Sequence, residues 1–173
     1  MLLIPDRAWN QMLDVFASRP SKIERVGYLD GVRGDTKRVV TTVTIPDAVL
    51  GSGHYHVGVD AAHQAGQALR RHGLVRLAQV HTHPGRRVDH SETDDRYAYS
   101  QVSGSISIVL PEHGRTRPAP ADAGVHVREP HGWRQLSSAE ADQLIQLVPS
   151  VLNFGSAEEI KKTRPWRGWP WKR

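Results

Sequence analysis

The chain has 173 residues, 38% of them hydrophobic and 24% charged, the size and balance of one globular domain that can bury a core without covalent staples. It contains no cysteine, which excludes disulfides, thiol nucleophiles and cysteine-ligated metals, and leaves any metal site to its ten histidines and its carboxylates. The net charge of +5 sits at one end: the last thirteen residues, KKTRPWRGWPWKR, hold six of the 23 Lys and Arg and no acid, leaving 17 basic against 18 acidic residues in the body, so a nucleic-acid reading applies at most to that tail.

No apolar run reaches membrane-spanning length. The N-terminus, MLLIPDRAWNQ, lacks the basic and apolar regions of a signal peptide and is read as part of the fold, and the missing cysteines fit a cytoplasmic location. Residues 6–18 place Ala8, Met12, Leu13 and Phe16 near one helical face, with Asp6 as N-cap. Residues 25–31 (RVGYLDG) and 38–45 (RVVTTVTI) read as strands about the turn GVRGDT. Residues 59–72 read as a helix with an Ala-rich core face and an Arg-rich solvated face, closed at Gly73.

A short strand, LVRLAQV (74–80), runs into HTHP. Ser91 caps the start of a helix over 91–100, and SISIVL (105–110) is the clearest strand. After a Pro-rich loop at 112–122, residues 125–129 and 132–136 form a hairpin near Pro130. Ser137 or Ser138 then caps a helix, AEADQLIQLV (139–148). Helices alternating with short strands predict an α+β fold in α-β-α layers.

The chemistry concentrates at HTHPGRRVDHSETD (81–94). His81 and His83, two apart at a strand end, point to one side and make half of a zinc site. The third ligand must come from elsewhere in the fold, and spacing does not fix it; Asp94, eleven residues after His83 in the first turn of the next helix, is a candidate that would leave a fourth position open to water. Zinc lowers the pKa of such a water to about 7. Ser91, three residues before Asp94, brings a hydroxyl that can donate to an oxyanion. A proton shuttle is still required, and spacing alone does not choose among Glu24, Glu92, Glu112 and Glu129.

H-T-H-P, six residues, Ser91, two residues, Asp94 resembles the H-x-H-P-x6-S-x-x-D pattern of the JAMM (MPN-plus, or JAB) zinc metalloproteases, and ERVGYLDG (24–31) resembles that family's E-x-x-G-x-L-x-G segment. The resemblance covers roughly 1–150 as one JAB/MPN domain and leaves 151–173 as a basic, Trp-rich tail. It implies a mixed β-sheet flanked by helices, with a cytidine-deaminase-like core. It also implies one catalytic Zn2+ held by His81, His83 and Asp94, with Glu24 as general acid/base and Ser91 at the oxyanion. The activity implied is hydrolysis after the C-terminus of a ubiquitin-like protein, by deconjugation or precursor processing. The short chain, without large insertions, resembles bacterial members that act with ubiquitin-like conjugation systems in anti-phage defence, which makes conjugates and the conjugating enzymes of the same operon the expected partners. Asp30 departs from the pattern, standing where an apolar residue is usual, and predicts a more exposed strand.

Other readings stay open beside this one. The chain can be a non-catalytic scaffold that uses its Trp-rich tail for docking, or a processing enzyme for a sulfur-carrier protein. His54 and His56 lack an acid at matching spacing and read as surface residues. Asp89, His90 and Asp95 flank the site as rival ligands, ranked below Asp94 as groups beside the ligands or exposed to solvent, and Trp133 reads as core. The Trp rings of the tail favour docking over a free end, and little supports nucleic-acid binding there.

Overall fold

The computed structural model describes residues 1–18 and 23–154, so the Trp-rich run at 161–173 lies outside the described residues. Ten strands and four helices follow in chain order: β1 (Leu2–Pro5), α1 (Asp6–Ala17), β2 (Val26–Arg33), β3 (Arg38–Thr44), β4 (Val49–Leu50), β5 (Tyr55–His56), α2 (Val59–Arg71), β6 (Val75–Thr82), α3 (Glu92–Tyr97), β7 (Ile106–Leu110), β8 (Gly124–Glu129), β9 (Gly132–Gln135), α4 (Ser138–Leu144) and β10 (Ile145–Val148). Eight strands form one mixed sheet in the order β10-β1-β3-β2-β6-β7-β8-β9, while β4 and β5 pair separately. This is the expected α+β architecture.

Helix α1 buries Trp9, Met12, Leu13 and Phe16, an i, i+3, i+4, i+7 stripe that lays it on the sheet. Trp9, rather than Ala8, opens that stripe, because its indole Nε1 donates to the Pro118 carbonyl at 3.0 Å and so can be buried at no polar cost. The stripe joins Leu2, Ile4, Leu29, Leu77, Val80, Ile108 and Leu110 in one core. Helix α2 keeps its expected two sides: Ala61, Ala65 and Ala68 are half-buried beside buried Leu69, while Arg70 and Arg71 are exposed.

The two ends of the domain close on each other. Strand β1 pairs in parallel with β10, Leu2 opposite Ile145, and the same strand pairs with β3. The single helix expected over 139–148 therefore stops at Leu144, and Ile145 turns extended at φ −119°, ψ 124°. The β-branched Ile145 gains a ladder partner and near-complete burial there, which outweighs the continuing helical pattern.

Asp30 corrects the expectation of an exposed strand. It is fully buried and ion-paired through Oδ1 to Arg76 Nε at 3.1 Å. The β2 register shifts on either side of it, against β6 and against β3, so the residue sits at an irregularity that both neighbouring strands accommodate. Gly31 makes this possible, since a Cβ there would collide with the Val39 carbonyl oxygen. Gly31→Ala is expected to destabilise the protein by about 1–3 kcal/mol, measured as a lower urea midpoint, because the clash is with backbone rather than with a yielding side chain.

Candidate metal centre

Strands β6 and β7 run parallel, with His81 opposite Val109, and the centre lies where both end. Antiparallel β2 begins on the other side of β6, with Val26 opposite His81. Glu24 is two residues before Val26 and so shares the face of His81. The junction is tied twice: the Arg25 amide donates to Thr82 Oγ1 at 2.9 Å, and the Thr82 amide donates to the Arg25 carbonyl at 3.0 Å. The Glu24 amide donates to the Gly51 carbonyl at 2.8 Å, which holds the acid against the β4–β5 hairpin.

The third arm comes from α3. Its first turn closes as a capping box, with the Asp94 amide donating to Ser91 Oγ at 3.1 Å, and the Ser91 amide and hydroxyl both donating to Asp94 Oδ2 at 2.8 Å. The box fixes the Asp94 carboxylate, which points back to the strand end. His81 Nε2 lies 3.3 Å from Asp94 Oδ1, and His83 Nε2 lies 3.5 Å from Asp94 Oδ2. One ligand atom from each of His81, His83 and Asp94 falls within 4.8 Å of the others.

Two further observations fit a cation between them. His83 Nδ1 is 3.0 Å from the Arg87 carbonyl, which fixes the proton on Nδ1 and leaves Nε2 as the free lone pair. His81 is fully buried, and its Nε2, close to Asp94 without hydrogen-bond geometry, has no hydrogen-bond partner. A buried imidazole nitrogen left without a partner is costly, and a metal ligand bond removes that cost. The set of two imidazoles and one carboxylate suits a borderline divalent ion.

The protonation states of His81 and Asp94 suit this, while at His83 burial pushes down but Asp94 outweighs it and raises the ring above its ordinary value, so a cation there displaces a proton. Burial pushes His81 down, against the pull of Asp94, and keeps it neutral. Burial also pushes Asp94 up, but the flanking histidines and the Ser91 amide outweigh it and hold the carboxyl well below the usual carboxylate range. Glu24 is 5% exposed, and its carboxyl is pushed up to about 7 by burial, with His83 pulling down and Asp94 pushing up. One carboxyl is thus held ionised beside the histidines, while burial brings the titration of the other close to neutrality. The five expected site residues, Glu24, His81, His83, Ser91 and Asp94, come together at this strand end.

Further residues also converge. Tyr55 lies with its ring 5.3 Å from that of His81, while His54 and His56 beside it are exposed as expected. His90, of its two expected readings, takes the flanking one: the residue is half-buried, with its side chain 5% exposed. Its Nδ1 is 2.9 Å from Asp95 Oδ1, its Nε2 is 3.0 Å from Ser107 Oγ, and its ring stacks at 3.8 Å on His126. Half-buried Trp133 meets His90 edge-on at 5.2 Å. Burial, reinforced by His90, pushes His126 down to about 3, so this stack carries no cost of paired charges. His90 bridges α3 to β7 and so braces the helix that carries Asp94. His90→Ala is expected to weaken metal binding about 10–100-fold in competition with a chromogenic chelator, with little change in secondary structure.

The prokaryotic homologs of the JAB domain match this chain over residues 8–123, which includes Glu24 and all of the centre. The chain belongs to the JAB-domain family. Within it, the chain is 34% identical over 96 residues to a protein named "Probable metalloprotease y4jG" from Sinorhizobium fredii (strain NBRC 101917 / NGR234). That match covers 53% of this chain and 57% of the relative, so it spans less than two thirds of the relative's length. The solution structure of protein DSY2949 from Desulfitobacterium hafniense superposes with a TM-score of 0.68 at 18% identity, covering 87% of this chain and 95% of the other, and shares the fold.

Proposed function

We propose that this JAB-domain protein is a zinc-dependent peptidase that cleaves an amide or isopeptide bond after the C-terminus of a ubiquitin-like protein, within a bacterial conjugation pathway tied to anti-phage defence. The observation that carries the peptidase reading is the convergence of His81, His83 and Asp94 beside a buried carboxyl, Glu24, whose pKa is raised to about 7. Among the described residues no helix is long and apolar enough to cross a membrane.

His81, His83 and Asp94 would hold the ion, which as a Lewis acid polarises the scissile carbonyl and makes water acidic. Glu24 takes a proton from the attacking water and later delivers it to the leaving amine, a cycle suited to a carboxyl that titrates near neutrality. Ser91 supports the oxyanion when its hydroxyl, which otherwise donates to Asp94, turns toward the substrate. The finer substrate assignment draws on family membership and on a compact domain without large insertions.

The test uses zinc-loaded protein with two substrates: a ubiquitin-like protein carrying residues beyond its terminal glycine, and the same protein joined to a lysine side chain. Cleavage of the first alone identifies precursor processing, and cleavage of the second identifies deconjugation. A wild-type protein that holds no metal after refolding with zinc refutes the reading.

A further inference from the structure

A second feature opens beside the metal centre. A cavity of about 340 Å³ lies between β5, the start of α2 and the connection from α3 to β7, and is lined by Tyr28, Tyr55, Arg76, Gln79, Arg96 and Tyr99 among others. Tyr55 belongs to both places, since it walls the cavity while its ring lies 5.3 Å from that of His81.

The walls are braced. Buried Gln79 donates from Nε2 to the Tyr55 hydroxyl at 2.5 Å and accepts from the Tyr99 amide at 3.0 Å. One side chain thus ties two residues of the lining together. Tyr28 packs tilted against Tyr99, and the Arg76 guanidinium lies over the Tyr28 ring at 3.4 Å.

The charge is unbalanced. Arg76 is neutralised from behind by buried Asp30. Arg96, exposed at the cavity, has no carboxylate partner among the described residues, and no residue lining the cavity is acidic. A guanidinium beside aromatic walls, with room for a side chain or a chain end but not for a folded domain, selects a carboxylate.

We propose that this cavity is a substrate subsite that takes a carboxylate of the substrate peptide within about two residues of the scissile bond, with Arg96 as its ion-pair partner. The assignment rests on the peptidase reading above. It makes an acidic group next to the cleavage point, from a Glu or Asp side chain or from a free chain end, a requirement for efficient turnover.

The experiment uses short internally quenched peptides, C-terminally amidated, that differ at one position as Glu, Gln or Lys, together with the Gln peptide carrying a free C-terminal carboxylate. Cleavage is measured with zinc-loaded wild type, Arg96→Gln and Arg96→Glu, and binding by anisotropy with zinc-loaded Glu24→Gln. Glu is expected to exceed Gln by at least about fivefold in kcat/KM and in affinity, with Lys poorest, and Arg96→Glu is expected to invert the order of Glu and Lys at unchanged Tm. Arg96→Gln, which leaves no charge, should level the three. If the free-carboxylate Gln peptide matches the Glu peptide, the subsite accepts a chain end. Equal cleavage of all peptides by wild type overturns the subsite and leaves the peptidase standing. Preferential binding of Glu without cleavage by wild type overturns the peptidase and leaves the subsite. Absence of binding by every peptide overturns the subsite.

Discussion

Glu24→Gln is expected to lower turnover by about 10²–10⁴-fold while leaving metal content unchanged. The amide keeps the size and the polar character of the side chain, and Glu24 is not one of the three groups whose ligand atoms cluster, so the ion should stay. What is lost is the group that exchanges a proton near neutrality. The pH behaviour makes the test sharper. In the metal-free protein the folded-state pKa of Glu24 is about 7, raised by burial above the ordinary 4.5. Between those values the folded state binds more protons than the unfolded state, so stability should fall as pH rises through this window. In Glu24→Gln that slope should flatten. A bound cation nearby favours the ionised form and draws the pKa down, so the acidic limb of kcat/KM should lie below 7 in the loaded enzyme. A Glu24→Gln protein with wild-type turnover would remove Glu24 from the chemistry.

The centre was legible in sequence because its parts are local. His81 and His83 are fixed by strand parity, and Ser91 and Asp94 by the capping box of one helical turn. Glu24 was not reachable by spacing, since its place depends on β2 starting opposite His81, a long-range pairing that only the resemblance supplied. The same limit explains the missed elements. Strand β1 and strand β10 exist because they pair with each other across almost the whole chain, and neither LLIP nor IQLV announces that on its own. The placing of His90 between its two readings, and the role of Tyr55, were out of reach for a related reason. Their burial is decided by Ser107, His126 and Gln79, which arrive from other strands. Asp30 shows the opposite error: a charge in a strand reads as exposure until its partner, Arg76, is placed on the neighbouring strand.

His81→Ala is expected to weaken zinc binding by more than about 100-fold and to remove the thermal stabilisation that zinc gives the wild type. A ligand present at 100 times its Kd raises folding stability by about 2.7 kcal/mol, so the wild-type midpoint should climb with added zinc and the variant's should not. The metal-free variant should lose much less. His81 is fully buried, yet neither of its ring nitrogens has a hydrogen-bond partner. Deleting the ring costs its packing against Tyr55 and His90 but also removes two unpaired polar atoms from the core, and these effects oppose each other. Asp94→Asn separates the roles of the third ligand. One oxygen remains to accept from Ser91, so α3 should stay capped, while the charge that faces both histidines is gone. Its helix content should match wild type and its zinc affinity should not. If both variants bind zinc as tightly as the wild type and gain the same stability from it, the metal lies elsewhere, and the cluster of His81, His83 and Asp94 is only a buried polar network.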